Sequence, residues 1–267
     1  MTPTITSKQR TAGHKMKPVK ITHHGPVTVI TINRPERRNA INRETADALR
    51  EAWLSFDADD SQHVGVLTGG SEVFCAGADL KEIETLENNN DHGPLGHTRL
   101  FINKPTIAAV AGYAVAGGLE LACWCDLRIA DKSAVFGCFE RRFGVPLIDG
   151  GTQRLPQIVG LGRALELILT GRPVPAQEAL MMGLANEVVA PGEHIERAIE
   201  IGEMLATFPQ AALLNDRRAV YRGLGENIEE GLEIEAELGQ QTLDSGESYA
   251  GAEEFTRGAG RGGQFDE

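Results

Sequence analysis

The 267 residues are 41% apolar and 24% charged, which suits a soluble protein with one large core. No apolar run approaches the ~18 residues a membrane span requires, and a net charge of -12 argues against a nucleic-acid surface. The charge is uneven: residues 226–267 hold twelve acids against two arginines, so the rest of the chain is nearly neutral and can accept an anionic ligand.

The first 20 residues carry five Lys or Arg and no acid, without an apolar helical face. Residues 1–17 are therefore expected to form a disordered leader rather than a transit peptide. Val27–Asn33 (VTVITIN) alternates as a β-branched strand does, with a partner at Val19–Thr22. Asn42 can cap a helix running to Phe56. A polar turn, Asp57–Gln62, precedes a buried strand at Val64–Thr68. Asp79–Leu86 reads as a short helix and Glu87–His97 as a polar, mobile loop. Pro105–Gly112 is a buried strand, and Gly117-Gly118 opens a helix at Leu119–Cys125. Strands follow at Leu127–Ala130, Ala134–Gly137 and Asn186–Val189. Helices are expected near Gly151–Val159, Arg163–Thr170 and Ala176–Met182. Beyond Glu193 strand signals stop and helical periodicity runs to about Thr256.

Cys75, Cys123, Cys125 and Cys138 form no C-x-x-C pair, and the seven His residues form no H-E-x-x-H pattern. No metal site is expected, and free buried thiols suit a reducing compartment. The cytoplasm is preferred to the mitochondrial matrix.

Several motifs recur in one order. Asn33-Arg-Pro-Glu-Arg-Arg-Asn39 follows the first hairpin. Phe74-Cys-Ala-Gly-Ala78-Asp-Leu-Lys81 and Val110-Ala-Gly-Tyr-Ala-Val-Ala-Gly117-Gly118-Leu-Glu120 each follow a strand. Phe136-Gly-Cys-Phe-Glu140 and Gly150-Gly-Thr-Gln-Arg-Leu155 come next, and Leu169-Thr-Gly-Arg-Pro precedes Gly183-Leu-Ala-Asn-Glu-Val-Val189. Together these resemble the enoyl-CoA hydratase/isomerase family, the crotonase superfamily, over about residues 18–258. The resemblance implies an α/β fold: a spiral core of repeated ββα units with the acyl-CoA site at 18–205, and an all-helical oligomerisation region at 206–267.

The residues allow that chemistry. Ala78 and Gly117 each sit where a loop after a strand turns into a helix, where N–H groups lack intrahelical partners and the helix dipole favours negative charge. The resemblance makes them the oxyanion-hole donors for a thioester carbonyl. Glu120 lies in the first turn of an apolar helix, where a carboxylate is costly to bury without a partner or a task. Glu140 lies beside Phe139 and before Arg141-Arg142; a surface ion pair with those arginines is its plainer reading. Both match the family's catalytic glutamates. Asp149 lies near, but one residue off, the position where some isomerases and dehalogenases of the family carry a working Asp; its plainer reading is a helix cap.

The resemblance also implies a coenzyme A site. Arg37, Arg38 and Lys81 would face phosphates, and the backbone of Ala76, Ala78 and Leu80 would receive the adenine and pantetheine amides. Coenzyme A belongs to the substrate, so no separate cofactor is expected. Tails of this kind build a trimer or a dimer of trimers, in which Phe255 reaches a neighbour's CoA site. The reaction implied is hydration of a 2-enoyl-CoA. The alternatives are a Δ3,Δ2-enoyl-CoA isomerase or another thioester enzyme of the family, and a catalytically weak acyl-CoA-binding member. The departures at Phe139-Glu140-Arg141-Arg142 and Val145–Gly150 from the usual pattern bear on which reaction it is.

Overall fold

The structure, a computed structural model, describes residues 17–86 and 91–260. The leader read at 1–17 thus lies outside the described residues except for Lys17. So do the first four residues of the loop read at 87–97 and the last seven of the tail.

The strands in chain order are β1 (Val19–His24), β2 (Val27–Ile32), β3 (Val64–Thr68), β4 (Thr106–Val110), β5 (Tyr113–Val115), β6 (Leu127–Asp131), β7 (Val135–Gly137), β8 (Val174–Pro175) and β9 (Glu187–Val189). The helices are α1 (Arg43–Ala58), α2 (Gly117–Trp124), α3 (Gly151–Val159), α4 (Leu161–Thr170), α5 (Ala176–Met181), α6 (His194–Thr207), α7 (Gln210–Gly223), α8 (Ile228–Ser245) and α9 (Glu247–Arg257).

A six-stranded sheet runs in the order β1-β2-β3-β4-β6-β9; β1 is antiparallel to β2 and the other pairs are parallel. A smaller sheet, β5-β7-β8, stands apart from it. Every residue of β3 and β4 is buried, as a parallel sheet covered on both faces requires. The period of two sorts the side chains. Val27, Val29, Val64, Val66, Ile107 and Ile129 face α6, while Ile30, Ile32, Leu67 and Val110 join the larger core with α1 and α2. Gly202 lets α6 approach closely: a Cβ there would come within 2.8 Å of Val27 Cγ2.

In α1 the Asn42 side chain accepts from the Thr45 N–H at 3.1 Å. Leu49, Trp53 and Phe56 carry its buried face at helical spacing. The tail is helical as expected. α7 packs along α8 and is pinned to the core through Asp126. That carboxylate accepts from Tyr221 Oη at 2.5 Å, Arg217 Nε at 2.9 Å and Thr106 N at 2.7 Å.

Two expectations need correction. Asp79–Leu86 is not a helix; a 3₁₀ turn at Ile83–Thr85 is all that forms. The Asp79 N–H bonds to Ile41 O at 2.8 Å and its carboxylate pairs with Arg34 at 3.1 Å, so the chain starts a bridge where a helix would begin. The polar loop is packed at its end: Gly93–Thr98 are all buried. Pro94 and Leu95 supply apolar surface there, and Gly96 lies against the Ala46 carbonyl. The short strands β5 and β8 and a 3₁₀ turn at Phe139–Phe143 carry too few residues for a periodic signal.

Candidate active site

Where β5 meets α2, the backbone is strained. Ala116 has φ 54° and ψ -127°, a conformation that costs a non-glycine residue about 1–3 kcal/mol. It is held there because its N–H donates to Gly137 O at 2.9 Å and its carbonyl accepts from Leu119 N at 3.0 Å. Gly117 follows as the first helical residue. Ala78 sits in a neighbouring loop, bridged to Ile41, while Cys75 bridges to Ala114 of β5. The two N–H positions are close: a Cβ added to Gly117 would lie 3.6 Å from Ala78 N, and one added to Gly77 would lie 2.8 Å from Gly117 N. Among the described residues, neither N–H donates to a protein acceptor. Two such donors on one cleft can accept a developing oxyanion.

The cleft has a volume of about 210 Å³. It is lined mostly by apolar groups, among them Leu80, Leu95, Phe139, Phe143, Val145 and Ile148. Ala76, Ala78, Gly117, Glu120, Glu140 and Asp149 also line it. Seven of the residues singled out in the sequence therefore meet in one place. Arg37, Arg38, Lys81 and Phe255 are exposed and lie outside the lining. Arg38 is nonetheless at its edge, since its carbonyl accepts from the Ala76 N–H at 3.1 Å. That N–H is thus spent inside the protein.

Glu120 is 3% exposed. Its Oε1 accepts from the N–H groups of Asp149 at 2.9 Å and Gly151 at 2.8 Å, leaving Oε2 to meet a ligand. Burial pushes its carboxyl up to about 8, against the pull of the Gly151 N–H. Glu140 is 5% exposed, and among the described residues neither of its oxygens has a hydrogen-bond partner. Burial raises its carboxyl too. The surface ion pair is not formed. Arg141 donates to Ile168 O at 3.2 Å, and Arg142 donates to Gly171 O at 2.6 Å and stacks on Phe139. A buried carboxyl without donors is expensive as an anion, so a proton on one of these two groups is retained toward neutral pH. One acid and one base on a shared cleft can move protons in opposite directions.

Asp149 does not cap α3. Gly150 occupies the cap position, and the Asp149 side chain turns to Leu95 N at 3.0 Å and Thr98 Oγ1 at 2.6 Å. Burial raises its carboxyl as well, while the Thr98 hydroxyl holds it down. The sequence reading missed Leu95, Thr98 and the N–H of Gly151. The Gly150-Gly151-Thr152 run was the available signal for the last, since a glycine next to a carboxylate admits close backbone approach. A Cβ on Gly151 would meet Glu120 Cγ at 2.9 Å. Among the described residues, no group of three or more His, Cys, Asp and Glu could hold a metal ion.

The fold and the cleft define an α/β protein of the crotonase superfamily. A sequence model of the enoyl-CoA hydratase/isomerase family matches residues 22–258. The chain is 40% identical over 235 residues to a probable enoyl-CoA hydratase of Rhizobium meliloti (strain 1021), covering 86% of this chain and 91% of that one. It is 40% identical over 221 residues to a short-chain-enoyl-CoA hydratase of Clostridium acetobutylicum, covering 80% and 84%. The crystal structure of an enoyl-CoA hydratase from Mycobacterium tuberculosis H37Rv superposes with a TM-score of 0.86 at 34% identity, covering 91% of this chain and 96% of that one. The chain belongs to the enoyl-CoA hydratase/isomerase family.

Proposed function

We propose that this protein is an enoyl-CoA hydratase, a hydro-lyase that adds water across the C2=C3 bond of a 2-enoyl-CoA thioester in fatty acid or related acyl-CoA catabolism. The observation that carries the reading is the pair Glu120 and Glu140, both buried on one apolar cleft beside the free N–H groups of Ala78 and Gly117. Isomerisation needs one base that moves a proton between carbons; water addition uses two carboxyls around one water. The activities named for the Rhizobium and Clostridium relatives support the same reading.

The steps follow from the geometry. The thioester oxygen sits at the N–H groups of Ala78 and Gly117. Water, with a bulk pKa of ~15.7, must lose a proton as it attacks C3. Glu120, whose Oε1 is fixed by two N–H donors, takes that proton on Oε2 in its ionised form, which gains population as pH rises toward about 8. Negative charge gathers on the thioester oxygen and is held by the two donors. Glu140, protonated and without a hydrogen-bond partner among the described residues, delivers a proton to C2. The carboxyl pair then returns to its starting state by passing the proton from Glu120 to Glu140.

Coenzyme A enters with the substrate, its phosphates facing Arg37, Arg38 and Lys81 and its pantetheine running past Leu80. The half-exposed Leu80 and the exposed Phe143 at the mouth favour a ligand with apolar length. The tail leaves Val220, Ile228, Leu232 and Phe255 exposed. Their exposure supports a trimer or a dimer of trimers that would cover them, with Phe255 at a neighbour's CoA site and residues 206–267 as the trimerisation region. The four buried, unpaired cysteines support a cytoplasmic location. Among the described residues, no helix is long and apolar enough to cross a membrane.

Incubation with crotonyl-CoA and longer 2-enoyl-CoA thioesters tests the assignment. Loss of the enoyl thioester absorbance is the expected result. A 3-enoyl-CoA that gains absorbance, with no loss from the 2-enoyl substrate, would instead make the protein an isomerase.

A further inference from the structure

The hydratase reading uses Asp149 for its backbone N–H alone, yet its side chain is 3% exposed and makes two bonds of its own. Oδ1 accepts from the Leu95 N–H at 3.0 Å and from the Thr98 hydroxyl at 2.6 Å. Both donors belong to the buried stretch Gly93–Thr98, which forms a wall of the cleft. Arg154 repeats the connection, donating to the carbonyls of Asp149 at 3.0 Å and Thr98 at 2.5 Å.

The wall in turn touches the oxyanion site. Leu95 lies against Gly117 so closely that a Cβ on Gly117 would come within 2.6 Å of Leu95 Cδ1. On its other side Asp149 reaches Glu120, through the N–H that holds Oε1 at 2.9 Å. Glu120, Asp149, Leu95 and Gly117 thus form a closed circuit around the place where the thioester reacts. Glu120 and Gly117 are also joined directly, since both belong to α2. The circuit therefore sets how far the carboxylate leans toward the donor, not whether the two are neighbours.

We propose that Asp149 is a positioning residue whose carboxylate locks the Gly93–Thr98 wall to the Glu120 carboxylate and so fixes the gap between that base and the oxyanion donor at Gly117. The proposal rests on the hydratase reading of Glu120. Its chemistry is that of an acceptor rather than a proton carrier, because Oδ1 is committed to two donors of the wall. A shift of about 1 Å in such a gap can cost about 10²-fold in rate.

Three variants of the full chain test it: Asp149→Ala, Asp149→Asn and Thr98→Val. Steady-state hydration of crotonyl-CoA is measured at neutral pH, with amide hydrogen exchange of the peptide covering Gly93–Thr98. Asp149→Ala should lower kcat roughly 10–100-fold with KM moved less than about threefold, and should speed exchange of the wall by roughly tenfold or more. Asp149→Asn keeps an Oδ1 acceptor and should restore most of the kcat and the slow exchange. Thr98→Val, which removes one donor, should lie between, and it carries the test if Asp149→Ala does not fold. Asp149→Asn as impaired as Asp149→Ala overturns the proposal in favour of a direct role for the Asp149 charge. Asp149→Ala with wild-type kcat and wild-type exchange overturns it outright. A wild-type protein that binds crotonyl-CoA without hydrating it would instead remove the hydratase reading, and the exchange data would still decide for or against the clamp.

Discussion

The Asp149 N–H and the Oε1 of Glu120 lie 2.9 Å apart, and Gly151 holds the same oxygen from 2.8 Å. One oxygen of Glu120 is therefore structural, and the other is free among the described residues. Glu120→Gln can keep its amide oxygen in the Oε1 position, so the fold should survive while the base is lost. kcat should fall by about 10²–10⁴ with KM changed little. Circular dichroism and steady-state kinetics check both halves of this expectation.

Glu140 gives the opposite balance of function and stability. Among the described residues its buried carboxyl has no donor, so it weakens the fold it sits in. Glu140→Leu should abolish turnover yet leave Tm unchanged or higher at pH 8. A large drop in Tm would mean that the carboxyl has an essential structural partner.

The raised carboxyls also give stability a pH dependence. Glu120 has an ordinary value of 4.5 and is pushed up to about 8 by burial. Between those values the folded protein binds the proton that the unfolded chain has released, so stability falls as pH rises. The contribution is complete below about 4.5 and is lost as pH climbs through about 8. Thermal melts of wild type and Glu120→Gln across that window should show the variant gaining on the wild type at the alkaline end. Parallel curves would contradict the burial argument.

Asp149 bears on the same proton. Its negative charge raises the Glu120 carboxyl. The Asp149→Asn change should lower the proton affinity of Glu120 and move the acidic limb of kcat/KM to lower pH. Arg154, which faces both Glu120 and Asp149, stays charged in either protein and does not reverse the sign.

Gly117 tests the oxyanion donors. Its position at the start of α2 tolerates proline in the helix, but Gly117→Pro deletes the N–H. The ring also presses on Leu95. The loss in kcat should be about 10²–10³. Near-normal turnover would exclude this N–H from the reaction.

Much of this was legible in the residues. The strands β2 to β4 announce themselves through β-branched runs, and α1 through its Asn42 cap. The placement of Ala78, Gly117, Glu120 and Glu140 on one cleft was legible through ordered motifs, each weak alone. What was not legible depends on contacts distant in sequence. Asp149 bonds to a segment 51–54 residues away, so no local pattern distinguishes it from a helix cap. Asp79 opens no helix because Ala78 bridges to Ile41 and the Asp79 N–H bonds to the Ile41 carbonyl, a partner distant in sequence. Gly93–Thr98 reads as a polar loop by composition but is buried by the wall it builds.

As proposed, Glu120 and Glu140 together add water to an enoyl thioester. The most direct measurement is hydration of crotonyl-CoA by wild type and Glu140→Gln at equal protein concentration. Rapid loss of the enoyl absorbance is expected with the wild type, and a rate lower by about 10²–10⁴ with the variant. A Glu140→Gln protein that hydrates crotonyl-CoA at the wild-type rate would contradict the proposal.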